Sequence, residues 1–352
     1  MTHNLIGIVG IFIDNIYNTF VFTNKTEKKN VVVVGYGWGG KSFCDNIDRS
    51  KYNVTIVSKN NYMLNTPKLK NSIVNYCDKN LVITKKNDLD FIIESNIELD
   101  KEKNLIITKE KNIKFDYLVV EVGSEVNDFN VKGVKENCFF LKTLDDLENL
   151  RKGIKNNNKE IVILGGGPTG LEIAFEISKT FQNIKIIEGM DTILPNFSNE
   201  TKNLVKKNLE QSGIQLILSN QVKSIEKNII KTNQKDYSYD LAIWTCGIKP
   251  NSFVKKITTD KFIVNNNLKY NDKIYALGDI VASKELGPPT AQNAKQQGKY
   301  LANYFNNNFV GEPYKFIEKA KIIHTNKSLI IESNYGVYEL PYFLEPIIEF
   351  FY

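Results

Sequence analysis

Val31-Val32-Val33-Val34-Gly35-Tyr36-Gly37-Trp38-Gly39-Gly40 and, further along, Ile161-Val162-Ile163-Leu164-Gly165-Gly166-Gly167-Pro168-Thr169-Gly170 are two copies of one pattern. Each sets a short aliphatic run before a glycine-rich turn. Such a run reads as a strand buried on both faces. The first glycine allows a tight turn, the second lets the backbone approach a pyrophosphate, and the third packs the following helix closely. The phosphates would rest on a helix N-terminus, where unpaired N–H groups and the helix dipole favour negative charge. One such turn is a weak signal. Two in the same strand-turn-helix setting imply two dinucleotides, most economically a flavin reduced by a nicotinamide. Gly35, Gly37, Trp38, Gly39 and Gly40 are therefore expected at FAD, and Gly165, Gly167, Pro168, Thr169 and Gly170 at NADH.

Working outward from the first turn, residues 41–47 read as its helix and 53–58 as the next strand. That strand ends at Ser58, where an acid commonly meets the ribose and a hydroxyl can do so more weakly. Residues 81–108 alternate apolar and polar and read as antiparallel strands and turns. Residues 115–120 read as a buried strand running into Gly123-Ser124, a turn close to the nucleotide. A polar helix at 143–155 and an Asn-rich loop at 156–158 set the domain boundary at residue 150. The second unit repeats the first, with a helix at 171–181 and a strand at 184–187 ending in Glu188. That carboxylate can accept two hydrogen bonds from a ribose diol and repels a 2′-phosphate, so NADH is expected over NADPH. A helix at 199–212 and strands at 215–218 and 241–245 complete the unit, and Gly247 follows where the domains meet. Residues 273–277 read as a strand ending in Gly278-Asp279, an acid placed for a ribityl hydroxyl, and a helix from Ala291 aims backbone N–H groups at the flavin ring. The expected fold is α/β with two Rossmann-like domains. An NADH-binding domain (151–262) is inserted in an FAD-binding one (31–150 and 263–320), flanked by an apolar N-terminal helix and linker (1–30) and a short C-terminal segment (321–352).

Composition narrows the class. The chain has 352 residues and a net charge of +6, but its 46 basic residues are dispersed beside 40 acidic ones, and Arg49 and Arg151 are its arginines. With no basic block, nucleic-acid binding is not suggested. Cys44, Cys77, Cys138 and Cys246 are scattered, with no C-x-x-C and no metal-like spacing to His3 or His324, so neither a metal site nor a disulfide framework is expected. Residues 5–22 place Leu5, Val9, Phe12, Ile16 and Phe20 on one helical face. They read as an interfacial or short anchoring helix, or as one packed on the body; no basic residue precedes them as a secretory signal requires.

With Gly278-Asp279 in place, the order resembles the two-dinucleotide-binding-domain flavoproteins, and the details of residues 31–305 resemble the type II, or alternative, NADH dehydrogenases. The marks are Gly37-Trp38-Gly39-Gly40 with Ser42-Phe43, Asn61-Tyr62-Met63-Leu64-Asn65-Thr66-Pro67, Phe115-Asp116-Tyr117-Leu118, the second turn with Leu171-Glu172, Ile193-Leu194-Pro195, and Pro288-Pro289-Thr290-Ala291-Gln292-Asn293-Ala294-Lys295-Gln296-Gln297. The resemblance implies hydride transfer from NADH to noncovalent FAD and two electrons onward to a membrane quinone, without proton pumping. It implies a peripheral protein on the membrane side facing the NADH pool, the mitochondrial inner membrane or a cytoplasmic membrane, and it allows a homodimer. In that family the A-Q-x-A-x-Q-Q stretch lines the quinone tunnel, which assigns Gln292 and Gln296 to the acceptor side. Glu172 falls near the nicotinamide and flavin, to steady the former or take part in proton supply. Thr66-Pro67 stand where disulfide reductases of the wider fold carry a redox cysteine pair; with no thiol there, electrons have no disulfide route. The C-terminus departs from the pattern. Asn326-Lys327-Ser328-Leu329 stands at a G-x-L turn without its glycine, and the aromatic stretch 341–352 stands in for longer membrane-binding helices, either touching a membrane or packing on the body. Two alternatives follow: an NADH reductase with a soluble acceptor, cytoplasmic if the anchor is absent, and a degenerate flavin-binding, redox-responsive protein.

Overall fold

The computed structural model describes residues 27–74, 82–85, 88–155, 159–283 and 285–345. The apolar segment expected at 5–22, Cys77 and residues 346–352 lie outside them. Val31 to Val34 are each at most 2% exposed, and alternation explains how. Val31 and Val33 enter one apolar cluster while Val32 and Val34 enter another on the opposite face. Ile161 and Ile163, and Val162 and Leu164, divide in the same way. Both strands are therefore central, covered on two sides, and read as unbroken apolar runs.

Each heads a five-stranded, wholly parallel sheet. The first has the order Ile274–Ala276, Tyr117–Val120, Lys29–Val34, Tyr52–Ser58, Asp90–Ile93. The second has the order Cys138–Phe139, Leu241–Trp244, Ile161–Leu164, Ile184–Ile187, Gln215–Ile217. The registers coincide. Val34 pairs with Val57 and Val120, and Leu164 pairs with Ile187 and Trp244. The two turns thus leave equivalent places in equivalent sheets.

Two expectations need correction. Asp90–Ile93 pairs in parallel with Tyr52–Ser58 as an edge of the first sheet, although the strands around it are antiparallel, Tyr62–Leu64 with Ile83–Lys85 and Glu98–Asp100 with Leu105–Ile107. Alternation alone does not tell an edge strand of a parallel sheet from a meander. The second sheet already begins at Cys138, ahead of the boundary at residue 150, and Phe253, Val254 and Phe262 pack with the first sheet, ahead of the return at 263. The helix Leu144–Gly153 that suggested a linker buries Leu147 and Leu150 in the second core. Its polarity is its outer face, and Thr143 starts it by accepting from Asp146 N at 3.0 Å while Asp146 accepts from Thr143 N at 2.8 Å. Between the fourth and fifth strands of the second sheet in chain order, residues 222–238 form the antiparallel strands Val222–Glu226, Ile229–Thr232 and Asp236–Ser238.

The chain crosses between units through paired strands, Ser124–Val126 and Ile248–Pro250. Beyond the first unit, Lys321–His324, Ser328–Ser333 and Gly336–Pro341 form an antiparallel sheet that seats Ile323 and Ile330 in the second unit's core. Its turn lacks glycine and closes instead on the Thr325 hydroxyl, which accepts from Ser328 N at 2.9 Å.

The first-turn helix, Trp38–Asn46, lies backbone to backbone on the helix Ala291–Asn306. A Cβ on Gly298 would stand 2.2 Å from the carbonyl oxygen of Gly39, so the helices must part to admit even a methyl. Gly298→Ala should lower stability by about 1–3 kcal/mol, the usual cost of overpacking; denaturant unfolding at unchanged stability would contradict this contact.

Candidate active site

Both turns open onto one cavity of about 1040 Å³. Trp38, Thr66, Pro67, Ala291 and Gln292 line it from the first unit, and Gly167, Pro168, Thr169, Glu172, Trp244 and Gly247 from the second. A space of that size suits more than one ring system. Its walls also ask for a partner. Trp38 Nε1 is buried without a hydrogen bond among the described residues, and a Cβ on Gly167 would meet nothing within 4 Å. The residues present thus fit a dinucleotide at each turn, with one departure at Glu121.

In the first turn, Gly35 donates its N–H to Val57 O at 2.9 Å, beside Ser58. The side chain lying against the turn belongs to Glu121, just past the strand Tyr117–Val120. It accepts from Gly37 N at 2.9 Å and from Gly39 N at 3.4 Å. A Cβ on Gly37 would lie 2.9 Å from its carboxylate, so this glycine makes room for an acid of the protein as well as for any phosphate. Glu121 is 6% exposed. Burial pushes its carboxyl up to about 7 against the pull of the turn's N–H groups, and Asp279 adds to the rise. No sequence pattern flagged Glu121; the only available signal was an acid ending an otherwise apolar strand.

Next to it, Gly278 donates to Gln297 Oε1 at 2.6 Å. Asp279 accepts from Ser124 Oγ at 2.5 Å, and Ser124 accepts from Lys142 at 2.7 Å. Gly123 and Gly247 occupy matching places after Val120 and Trp244, with positive φ of 64° and 62°. The paired glutamines separate. Gln292 lines the cavity and accepts from Lys319 N at 2.9 Å. Gln296 lies outside it, donating to Ile317 O at 2.8 Å and accepting from Ile317 N at 3.1 Å. Both amides strap the segment 317–320 to the helix.

In the second turn, Glu188 accepts from Gly166 N at 2.6 Å and Met190 N at 2.8 Å, at the end of the strand where the sequence reading expects a ribose acid. The helix Pro168–Ser178 closes the turn at Gly170, a methyl there falling 2.1 Å from Gly165 O. The thiols nearby are held in the protonated form. Burial pushes Cys246 up to about 12, with Glu188 adding to it, and burial does the same to Cys138, so neither supplies a thiolate near neutral pH.

Glu172 sits on the cavity wall inside a charge cluster drawn from four segments. Lys70, from the 3-10 helix Thr66–Ser72, reaches it at 2.8 Å. His324 gives it both its backbone N–H at 3.0 Å and Nδ1 at 2.7 Å, while His324 Nε2 lies 3.2 Å from Glu345. Burial opposes ionisation of Glu172, but the Lys70 ammonium and His324 outweigh it and hold the carboxyl down to about 2. Burial likewise opposes charge on His324, and its two carboxylates outweigh it and raise the imidazole. At neutral pH Glu172 is therefore an anion, held between Lys70 and His324, whose Nδ1 also lies 3.0 Å from Lys70 Nζ. Neither residue was marked by spacing, since they come together only by the strand at 321–324 folding onto the second unit. Because the folded pKa of Glu172 is depressed, its contribution to stability is present above the unfolded value near 4.5 and is lost as pH falls toward 2. Lys70→Met should cost about 1.5–3 kcal/mol at neutral pH, the scale of one lost hydrogen bond to a charged group while His324 remains, and clearly less once acid protonates Glu172. Equal loss at both pH values would refute the pairing.

The model of the pyridine nucleotide-disulphide oxidoreductase family matches residues 29–298. A probable NADH dehydrogenase of Dictyostelium discoideum is 31% identical, over 80% of this chain and 74% of that protein. The external alternative NADH-ubiquinone oxidoreductase of Yarrowia lipolytica is 28% identical over 82% of this chain, and an external alternative NAD(P)H-ubiquinone oxidoreductase of Solanum tuberosum is 28% identical over 73% of it. The chain spans 62% and 56% of those two relatives. Among solved structures, NDH2 of Plasmodium falciparum in complex with NADH shares the fold, with a TM-score of 0.81 at 23% identity over 93% of this chain and 94% of that one. The chain belongs to the pyridine nucleotide-disulphide oxidoreductase family and, within it, to the type II NADH dehydrogenases.

Proposed function

We propose that the chain is an NADH:quinone oxidoreductase that holds FAD at the first turn and NADH at the second. The observation that carries this is the single cavity onto which both turns open. Two dinucleotides bound head to head along such turns bring their rings together, which is the arrangement a direct hydride transfer needs. Bound there, FAD supplies a two-electron carrier between NADH and quinone. The chain's own work is placement and charge. Gly35, Gly37, Gly39, Gly40, Ser58 and Asp279 are assigned to FAD, and Gly165, Gly167, Thr169, Gly170 and Glu188 to NADH. Thr66-Pro67 and Ala291 wall the ring site, and Gly123 and Gly247 keep the strand ends low beside it. Gln292 is assigned to the acceptor side, and Gln296 braces it from outside. The quinone's protons are assigned to His324 and Lys70, with Glu172 orienting both, because Glu172 itself holds no proton to give at neutral pH.

The names of the relatives support ubiquinone as the class of acceptor and a seat at a mitochondrial membrane. Among the described residues no helix is long and apolar enough to cross a membrane, which suits a peripheral seat. A homodimer is compatible with this reading. Anaerobic half-reactions test it: NADH should bleach the flavin, and a short-chain quinone should restore it faster than oxygen does. If oxygen is as fast, the quinone assignment fails. Gln292→Ala should slow reoxidation by quinone and spare reduction by NADH, whereas equal loss in both halves would mark a bracing role. NADH should be favoured over NADPH, and Glu188→Gln should narrow the gap by about 1–3 kcal/mol, the worth of a hydrogen bond to a charged group; equal use of both cofactors by the unmodified protein would refute the assignment of Glu188.

A further inference from the structure

We propose that Glu121 is a proton-gated member of the diphosphate site at the first turn: the turn accepts the diphosphate of its dinucleotide with Glu121 protonated, so binding takes up one proton and weakens as pH rises. This rests on the assignment of FAD to that turn.

The geometry fixes the backbone of the acid against the turn. Glu121 donates its backbone N–H to Val34 O at 2.8 Å, and its carbonyl lies 2.0 Å from where a Cβ on Gly35 would be. Strand end and turn are therefore in backbone contact, and Glu121 cannot withdraw as a unit. Its side chain fills the space left by Gly37, Gly39 and Gly40, at 2.9, 3.1 and 3.3 Å from their would-be Cβ atoms. The N–H groups of Gly37 and Gly39 at the helix N-terminus, which a diphosphate would seek, already serve its two oxygens. A second anion placed here meets a first one a few ångströms away.

Among the described residues, no cation packs against Glu121 to neutralise it. The segment Gly278–Ile280 brings another acid, Asp279. The helix Ala291–Asn306 brings Ala294, whose carbonyl and Cβ lie against Gly39 and Gly278, and the helix Trp38–Asn46 brings its N–H groups. The ammonium of Lys142 approaches by way of the Ser124 hydroxyl, which goes to Asp279. The second unit shows the contrast. Thr245 follows Trp244 as Glu121 follows Val120, donates its backbone N–H to Leu164 O at 2.9 Å as Glu121 does to Val34 O, and sets its hydroxyl 2.8 Å from the would-be Cβ of Gly165. That hydroxyl donates back to Leu164 O at 2.8 Å and is neutral at any pH, whereas a carboxyl is neutral only when it carries its proton. Burial already brings Glu121 up to about 7, so the change falls in an accessible range, while a diphosphate diester stays ionised throughout and contributes no titration of its own.

The test uses the full chain stripped of flavin and titrated with FAD across pH, together with calorimetry in two buffers of different ionisation heat to count protons. The dissociation constant should be flat below about pH 6 and climb toward tenfold per pH unit above about pH 7, with uptake approaching one proton per flavin on the alkaline side. Glu121→Gln and Glu121→Thr should each flatten that dependence. Flavin binding without proton uptake in the unmodified protein overturns the proposal whether or not the variants fold, and so does a slope that survives in both variants. Failure to bind FAD at any pH overturns the first-turn assignment, and the proposal with it.

Discussion

The contact of Gly298 with Gly39, backbone against backbone, is the constraint on which the first unit turns. It locks the helix that begins at the first turn to the helix that begins at Ala291, and that second helix carries the cavity's floor. Gln292 opens onto the cavity, Gln297 accepts from Gly278, and Asn293 donates to the carbonyls of Leu286 and Pro288 at 2.9 and 2.7 Å. A turn that binds through backbone groups is only as accurate as the backbone's position. Here a helix more than 250 residues downstream in the chain sets it, through a distance too short for any side chain to adjust.

The fold was legible because its two decisive strands are buried on both faces. Val31 to Val34 and Ile161 to Leu164 have no solvent face to encode, so their runs are unbroken, and Gly35, Gly40 and Gly170 after them stand against backbone carbonyls that leave no room for a Cβ. The limits of the units were less legible. Leu144–Gly153 looks like a linker because a surface helix shows mostly its polar side, and the two-residue strand Cys138–Phe139 is too short to carry a period.

The site divides along a similar line. Residues fixed by local backbone geometry, such as the glycines, Asp279 and Glu188, stand out in the sequence because their motifs are contiguous. Glu121, Lys70, His324 and Glu345 do not, because each is chosen by a neighbour far away in the chain: Glu121 by Gly37, and the other three by Glu172 and one another. An acid at the end of an apolar strand, or a lysine in a short 3-10 helix, has no meaning until the charge opposite it is known. The two units also show how much one such position can change. Their strands and turns superpose in register, yet a carboxyl stands in one where a hydroxyl stands in the other.

The nesting of one unit in the other has a consequence for the order in which the molecule can be made. The second sheet has all five strands once Trp244 has been synthesised, its central turn already flanked by Glu188. The first sheet still lacks Ile274–Ala276, and its turn still lacks the helix that holds Gly39. On the ribosome, where domains fold as units as they emerge, the sheet written second can be completed first, although its core still awaits Ile323 and Ile330. The unit written first must wait, its strand edge at Tyr117–Val120 unpaired and its central strand half clad, until the chain comes back to finish it.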